Sequence, residues 1–257
     1  MEEVEPGYRS FVARTFGDDG RRWLAALPML QRELAARWGL SLGEELPGGL
    51  LSCVRAATTA DDASAVLKLG PPWPRARHEI VSLRAWGGLG APRLLHADEG
   101  IHAMVLERIV PGVNADPGEH GHVAAVLRAI HVPPPVGLPT LAETVHRRLD
   151  RAESEGRANA ERIAWARAAA ERLLDRGPEP VLVHGDFDDR NLLVCATQGL
   201  RAIDPLPCVG DPAYDAAHWV HANRRRGRRA RLDAIVAATG LPHERVRDWA
   251  AVAAVHG

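Results

Sequence analysis

Lysine is almost absent from this 257-residue chain: of its 32 basic residues, 31 are arginine and one, Lys68, is lysine. The Ala-, Gly- and Arg-rich composition is what drift in a GC-rich genome produces, where surface lysines turn to arginine freely. A lone lysine that has not drifted points to a position that needs a compact ammonium and rejects a planar guanidinium, with chance survival as the alternative. Charge of one sign is missing as well. Thirty-two basic residues against 33 acidic ones leave a net charge of −1, so no global basic field exists to hold nucleic acid or an anionic membrane. No apolar run approaches the roughly 18 residues of a membrane span. The opening MEEVEPGYRS is acidic and has no apolar stretch of the signal-peptide kind. Three cysteines, Cys53, Cys195 and Cys208, are odd in number and form no C-x-x-C pair, which excludes a disulfide framework and a cysteine zinc site and fits a reducing cytoplasm. A cytoplasmic, monomeric chain that handles a small molecule is the expectation.

What is present is enough for a sizeable core: 46% of residues are hydrophobic and 25% charged, too apolar and too evenly charged for disorder. From Asp18 to Trp38 the residues Trp23, Leu24, Leu27, Leu30, Leu34 and Trp38 recur at helical spacing, with Asp18 or Asp19 as N-cap and Gly39 as the stop. LGEEL, LLSCVRAA and SAVLKL then read as three antiparallel strands, split by Pro47-Gly48-Gly49 and by the polar turn Thr58–Asp62. Arg77 to Trp86 reads as a short helix, followed by strands near Arg93–His96 and His102–Arg108. Composition shifts at Pro111-Gly112. From His120 to Arg176 the chain reads as helical, interrupted at His131-Val-Pro-Pro-Pro. VLVHGDFDDRNLLV is strand, polar loop, strand; GLRAIDPLP adds a short strand, and Ala213 begins a helix. The layout is α+β and two-lobed, with a mostly-β lobe over 1–108, including the helix 18–38, and a mostly-α lobe over 109–257.

Three features stand in the order that a nucleotide-dependent kinase needs. Lys68 lies on a strand and Glu79 eleven residues later on a helix, so a carboxylate could hold an ammonium against nucleotide phosphates. In His184-Gly-Asp186-Phe-Asp-Asp-Arg-Asn191, an Asp and, five residues on, an Asn share one loop between apolar strands. The Asp can take a hydroxyl proton and the Asn can bind magnesium through its amide oxygen. His184 reads as a loop-fixing group. Asp204, at the end of the next strand, supplies a second magnesium ligand.

VHGDFDDRNLLV…AIDPLPCVGDPAYD resembles the C-terminal lobe of the aminoglycoside phosphotransferase-like kinases. GRRWLAALPMLQRELAARWGL, AVLKL, ARHEIVSLRAWGGLGAPRLLHAD and VLERIVPG are similar to the streptomycin phosphotransferase/hydroxyurea phosphotransferase branch. The resemblance covers roughly residues 10 to 220. It implies a protein-kinase-like fold, ATP with Mg2+, and transfer of the γ-phosphoryl to a small-molecule hydroxyl, with an aminoglycoside of the streptomycin type as acceptor. It gives Lys68 the α- and β-phosphates, Glu79 the orientation of Lys68, Asp186 the role of base, and Asn191 and Asp204 the metal. Glu107 and Ile109 would meet adenine through their backbone, and Asp211 would brace the catalytic loop. Another hydroxyl compound, such as hydroxyurea or a sugar, and a non-catalytic nucleotide-binding module remain alternatives.

The chain departs from that family in its Pro47-Gly-Gly-Leu-Leu-Ser52 loop, which lacks G-x-G-x-x-G, and in Phe187-Asp188-Asp189-Arg190, where a Leu-His-Pro-Gly type of insert is usual. Only 42 residues follow Asp215, where relatives continue through further helices, so either a trimmed acceptor pocket or a shortened chain is expected. Asp188 and Asp189 would make the acceptor's approach acidic and favour a cationic acceptor. His120-x-His122 and His218-x-x-His221 invite a metal-hydrolase reading, but the first has no third ligand and the second stands beside Arg224–Arg226. The run from Arg224 to Arg231 reads as a solvated helix face. The lone lysine yields a direct test. Lys68→Arg is expected to depress phosphoryl transfer nearly as far as Lys68→Ala, measured as steady-state rates; an Arg variant that keeps most of the activity would leave Lys68 as the one lysine that drift missed.

Overall fold

The computed structural model describes residues 6–46, 52–71, 73, 75–116, 118–222 and 227–256. The described chain divides into two compact units: one runs through Ile80 and takes in Pro92–Arg108, and the other comprises Val81–Ala91 and the residues from Ile109 on. Of the Pro47–Ser52 loop only Ser52 is described, and Arg224–Arg226 lie outside the described residues.

In the first unit, helix α1 (Pro6–Trp38) is broken at Gly17, whose φ of 55° and ψ of −131° suit a residue without Cβ. The segment after the break matches the expected helix from Asp18 to Trp38. The segment before it was not expected, because Gly-Asp-Asp reads as a helix start and masks the turns ahead of it. Gly39, at φ 63°, ends α1, and Leu40 N–H returns to the Ala35 carbonyl at 2.8 Å. Helix α2 (Arg75–Trp86) begins in this unit, through Ile80, and its remaining residues belong to the second; the strands that follow α1 in this unit are β1 (Ser41–Glu45), β2 (Cys53–Thr58), β3 (Ser64–Leu69), β4 (Leu94–Asp98) and β5 (Ala103–Glu107). They form one antiparallel sheet in the order β1-β2-β3-β5-β4. Tyr8, Val12, Leu27 and Leu34 of α1 pack on Ala57, Ala65, Leu67, Leu69, Ala103 and Val105. Ala65, Leu67 and Leu69 alternate along β3, so Lys68 projects from the face opposite α1. Burying a leucine contributes about 1.5–3 kcal/mol, and a one-residue slip of β3 would put Leu67 and Leu69 on the lysine's face. That core therefore fixes which way Lys68 points.

The second unit contains β6 (Pro111–Asn114), α3 (His120–Ile130), α4 (Leu141–Ser154), α5 (Ala160–Asp175), β7 (Val181–Val183), β8 (Leu192–Cys195), β9 (Gly199–Ala202), β10 (Cys208–Gly210), α6 (Ala213–Ala222), α7 (Arg228–Thr239) and α8 (His243–His256). β6-β8-β9 form one small sheet and β7-β10 another. α4 starts with a capping box, Thr140 and Glu143 satisfying each other's backbone N–H groups. Asn159 caps α5 by accepting from Arg162 N. β6 and β10 were not legible in the sequence: each is short and carries glycine, and only pairing across the fold makes it a strand.

Asp211 accepts from Ala213 N at the start of α6 and from Arg245 and Trp249 of α8. It therefore joins α6 to α8 and does not touch the catalytic loop, which departs from the bracing role that the resemblance implied. Tyr214 and Trp249 meet edge to face at 5.3 Å between these helices. The same layer buries His218 and His256, with ring centroids 6.0 Å apart. Desolvation and the nearby Arg148 cation push His256 down to about 3 and hold His218 well below the ordinary imidazole range. A histidine depressed in the folded state binds fewer protons than in the unfolded state. Its stabilising contribution is therefore full above the unfolded value, near 6.5, and is lost as pH falls towards the folded value. Stability is expected to decline below about pH 6.5 by up to about 1.4 kcal/mol per pH unit for each such histidine. Urea unfolding at pH 7 and pH 5 checks this; His256→Gln should reduce the slope, and an unchanged slope would remove His256 as a source.

Candidate active site

Lys68 and Glu79 meet as an ion pair in the first unit, Nζ to Oε1 at 2.6 Å, with side chains 7% and 10% exposed. A pair this buried gives little net stability, because desolvation offsets the attraction. Its value lies in fixing one rotamer of the ammonium. Glu107 ends β5; its N–H donates to the Arg93 carbonyl at 2.9 Å, and its carboxylate accepts from Arg93 N at 3.3 Å. The side chain of Glu107 is thus folded back on the segment leading into β4. Ile109, in the second unit, is buried.

The candidate catalytic loop of the second unit runs from His184 to Asn191 between β7 and β8. Gly185 sits at φ 80°, and a Cβ there would lie 2.1 Å from the Leu206 carbonyl oxygen, so only glycine fits the turn. Asp215 of α6, fully buried, accepts the N–H of His184 and the N–H of Gly185, each at 2.8 Å, and pairs with His131 Nε2 at 3.0 Å. His184 donates Nε2–H to the Ile203 carbonyl at 3.0 Å and accepts from Asp186 N through Nδ1 at 3.3 Å. Its ring lies between Trp86, stacked at 6.1 Å, and the edge of Phe187. Burial pushes this imidazole below its ordinary range against the pull of Asp215 and Asp186. Both ring nitrogens are committed, one as donor and one as acceptor, so His184 holds the loop and has no nitrogen left to relay a proton.

Asn191 donates its amide nitrogen to the Asp186 carbonyl at 2.7 Å and to Asp186 Oδ2 at 3.1 Å. That orientation, assigned from the hydrogen bonds, directs the amide oxygen away from Asp186. Asn191 O in turn accepts Ile203 N at 2.9 Å, which sets Asp204 beside the same segment. Asp204 is exposed and adopts φ 55°, an uncommon conformation for a residue with Cβ, of the kind found at functional sites. Asn114 of β6 donates to the carbonyls of Asp189 and Arg190 and pins the far side of the loop.

Asp188 departs from the expected approach to an acceptor. It is 2% exposed, accepts Arg190 N and Asn191 N as the cap of the one-turn 3-10 helix Asp189–Asn191, and is ion-paired with Arg190. A side chain so occupied faces the loop's own backbone. Asp189 remains partly exposed, and the Arg231 guanidinium of α7 lies within electrostatic reach of it. Arg231 itself is buried and donates to the Val220 carbonyl, unlike the solvated face expected of its run. Sequence reasoning missed Asp215, His131 and Arg148. Asp215 was within the quoted GDPAYD, and its place one turn inside a helix that follows the loop was the available signal.

The donors fit magnesium. Asn191 offers an amide oxygen and Asp204 a carboxylate, hard oxygen ligands of the type that ion prefers. Among the described residues no cluster of three or more His, Cys, Asp or Glu could hold a metal by itself. Two protein ligands suit an ion that takes its remaining ligands from phosphates and water.

Residues 37–257 match the family model of the aminoglycoside/hydroxyurea antibiotic resistance kinases. The chain is 33% identical over 270 residues to streptomycin 6-kinase of Streptomyces glaucescens, covering 97% of this chain and 87% of that one. It is 33% identical over 246 residues to hydroxyurea phosphotransferase of Kitasatospora aureofaciens, covering 91% and 72%. A solved choline/ethanolamine kinase family protein from Mesorhizobium loti superposes with a TM-score of 0.64 at 19% identity, covering 93% of this chain and 82% of that one, and so shares the protein-kinase-like fold.

Proposed function

This chain belongs to the aminoglycoside/hydroxyurea antibiotic resistance kinase family, and from that premise, which makes it a phosphotransferase, we propose that it moves the γ-phosphoryl of ATP to a hydroxyl of a cationic, streptomycin-like aminoglycoside. The observation that carries the reading is the coupling of Asp186 to Asn191: one amide both orients the carboxylate and turns its oxygen outward. Asp186 accepts the acceptor's hydroxyl proton as the hydroxyl oxygen bonds to the γ-phosphorus and the bond from that phosphorus to the β–γ bridging oxygen breaks, releasing ADP. Asn191 and Asp204 would hold Mg2+, which would supply neutralisation of the phosphate charge during transfer. Lys68, held by Glu79, binds the α- and β-phosphates, and backbone groups of Glu107 and Ile109 meet the adenine. Two streptomycin 6-kinases among the relatives support the acceptor class. With Asp188 turned inward, the acidic steering of a cationic acceptor falls to Asp189.

Asp186→Asn is expected to lower kcat by about 100- to 10,000-fold while nucleotide affinity stays nearly unchanged. A loss under about tenfold, with chemistry limiting, would remove Asp186 as the base. Magnesium-dependent ATP turnover with streptomycin, other aminoglycosides, hydroxyurea and sugars separates the acceptors, and no turnover with any of them favours a non-catalytic nucleotide-binding module. Asp189→Asn should raise the acceptor KM at low salt and flatten its dependence on ionic strength, because screening acts beyond about 8–10 Å. Asp188→Asn should lower stability and leave that salt dependence in place. If KM is indifferent to Asp189→Asn at every salt concentration, the acceptor is not steered by this aspartate.

A further inference from the structure

Helix α4 sends one side chain into the catalytic loop for which the mechanism above has no role. Arg148 Nη2 donates to the Gly185 carbonyl at 2.7 Å and stands 3.8 Å from Asp186 Oδ1. Its Nη1 donates to Tyr214 Oη at 3.1 Å and to His218 Nε2 at 2.9 Å, both on α6. The side chain is 18% exposed. Of the four groups it faces, three are neutral. His218 is kept deprotonated by burial and by Arg148 itself, and burial raises the Tyr214 phenol to about 12. Asp186 is the fourth and the carboxylate. Burial works against the Arg148 charge, which the hydrogen bond to Tyr214 and the Asp186 carboxylate beside it favour.

We propose that Arg148 is the positioning residue for Asp186: moored to Tyr214 and His218, its guanidinium fixes the Gly185 peptide and one edge of the Asp186 carboxylate. This rests on the reading of Asp186 as the base. Asp186 then lies between two fixed groups, Arg148 beside Oδ1 and Asn191 on Oδ2. The first contact is too long for a hydrogen bond and acts through charge, while the hydrogen bond to Gly185 acts on the backbone one residue away. A planar fork with five donors can serve α6 and the loop together; an ammonium of similar reach has one head and must choose. The inference is thus specific to arginine and not merely to a cation.

The test compares Arg148→Ala, Arg148→Lys and Asp186→Asn by kcat and by KM for ATP, each per folded molecule. Misplacing a reacting group slightly costs about ten- to a hundredfold in rate. A fall of that size in kcat for both Arg148 variants, with KM for ATP within about twofold, is expected. Millimolar guanidinium ion should restore part of the kcat of Arg148→Ala and none of that of Asp186→Asn, a rescue that a merely structural role would not give. Folded Arg148→Ala with a kcat near wild type, or with a loss accounted for wholly by its unfolded fraction, overturns the proposal. Should that variant fail to fold, Tyr214→Phe decides: a fall of about threefold or more in kcat, at unchanged KM for ATP, supports the mooring, and an unchanged kcat overturns it. A wild-type kcat in Asp186→Asn would instead remove the base assignment itself, whatever the arginine variants do.

Discussion

One buried carboxylate organises the second unit. Asp215 accepts two consecutive backbone N–H groups at the tip of the catalytic turn and also meets His131. Those N–H groups belong to a tight, left-handed turn at Gly185 that no strand or helix ladder could satisfy, and a buried orphan N–H costs about 1–3 kcal/mol. The burial of Asp215 is in turn tolerable because both of its carboxylate oxygens are hydrogen-bonded. Everything downstream depends on the turn so held. Its direction places Asp186, the 3-10 turn capped by Asp188 brings Asn191 back onto Asp186, and the backbone pairing of Asn191 with Ile203 carries Asp204 to the same place.

The first unit solves a different problem with the same economy. A lysine must sit within a sheet without being drawn to the surface, and β3 achieves this by alternation. Its odd-numbered residues are held in the α1 core, which leaves Lys68 on the other face, where Glu79 of α2 receives it. The hydrophobic side of the strand thus sets the direction of the polar side. Because such a pair contributes little net stability, its retention in a buried position is more readily explained by function than by folding.

Histidine and arginine have structural roles here that their chemistry does not advertise. His184 is doubly hydrogen-bonded and serves as a strut between Trp86 and Phe187, the loop-fixing role that its place in the sequence suggests. His218 accepts from Arg148, which marks it as a hydrogen-bond partner of a cation and not a ligand for one. In an arginine-rich chain the guanidinium is the available long donor, and α4 uses one to reach across to α6 and to the loop.

Much was determined by the sequence alone. The order of Lys68, Glu79, Asp186, Asn191 and Asp204, the hairpins of the sheet, the helices between His120 and Arg176 and the helix that begins at Ala213 are local patterns: alternation, 3.6-residue periodicity, caps and glycine stops. Those signals lie within a few residues of the elements they specify. The first segment of α1 was hidden because Gly17 mimics a boundary, and β6 and β10 because a three- or four-residue strand exists only through its partner. Tertiary structure alone decided that Asp188 turns inward to cap its own loop while Asp189 stays partly exposed, a choice made by where the backbone N–H groups of Arg190 and Asn191 point. It alone decided that Asp215 braces the turn and Asp211 joins the helices, since both occur in one short motif and differ only in the direction that α6 gives them. For Asp188 the deciding partners are two and three residues away and depend on how the loop backbone is turned; for Asp215 and Asp211 the physical reason is that a side chain's type is written in the chain, but its partner is set by packing between residues that lie dozens of positions apart.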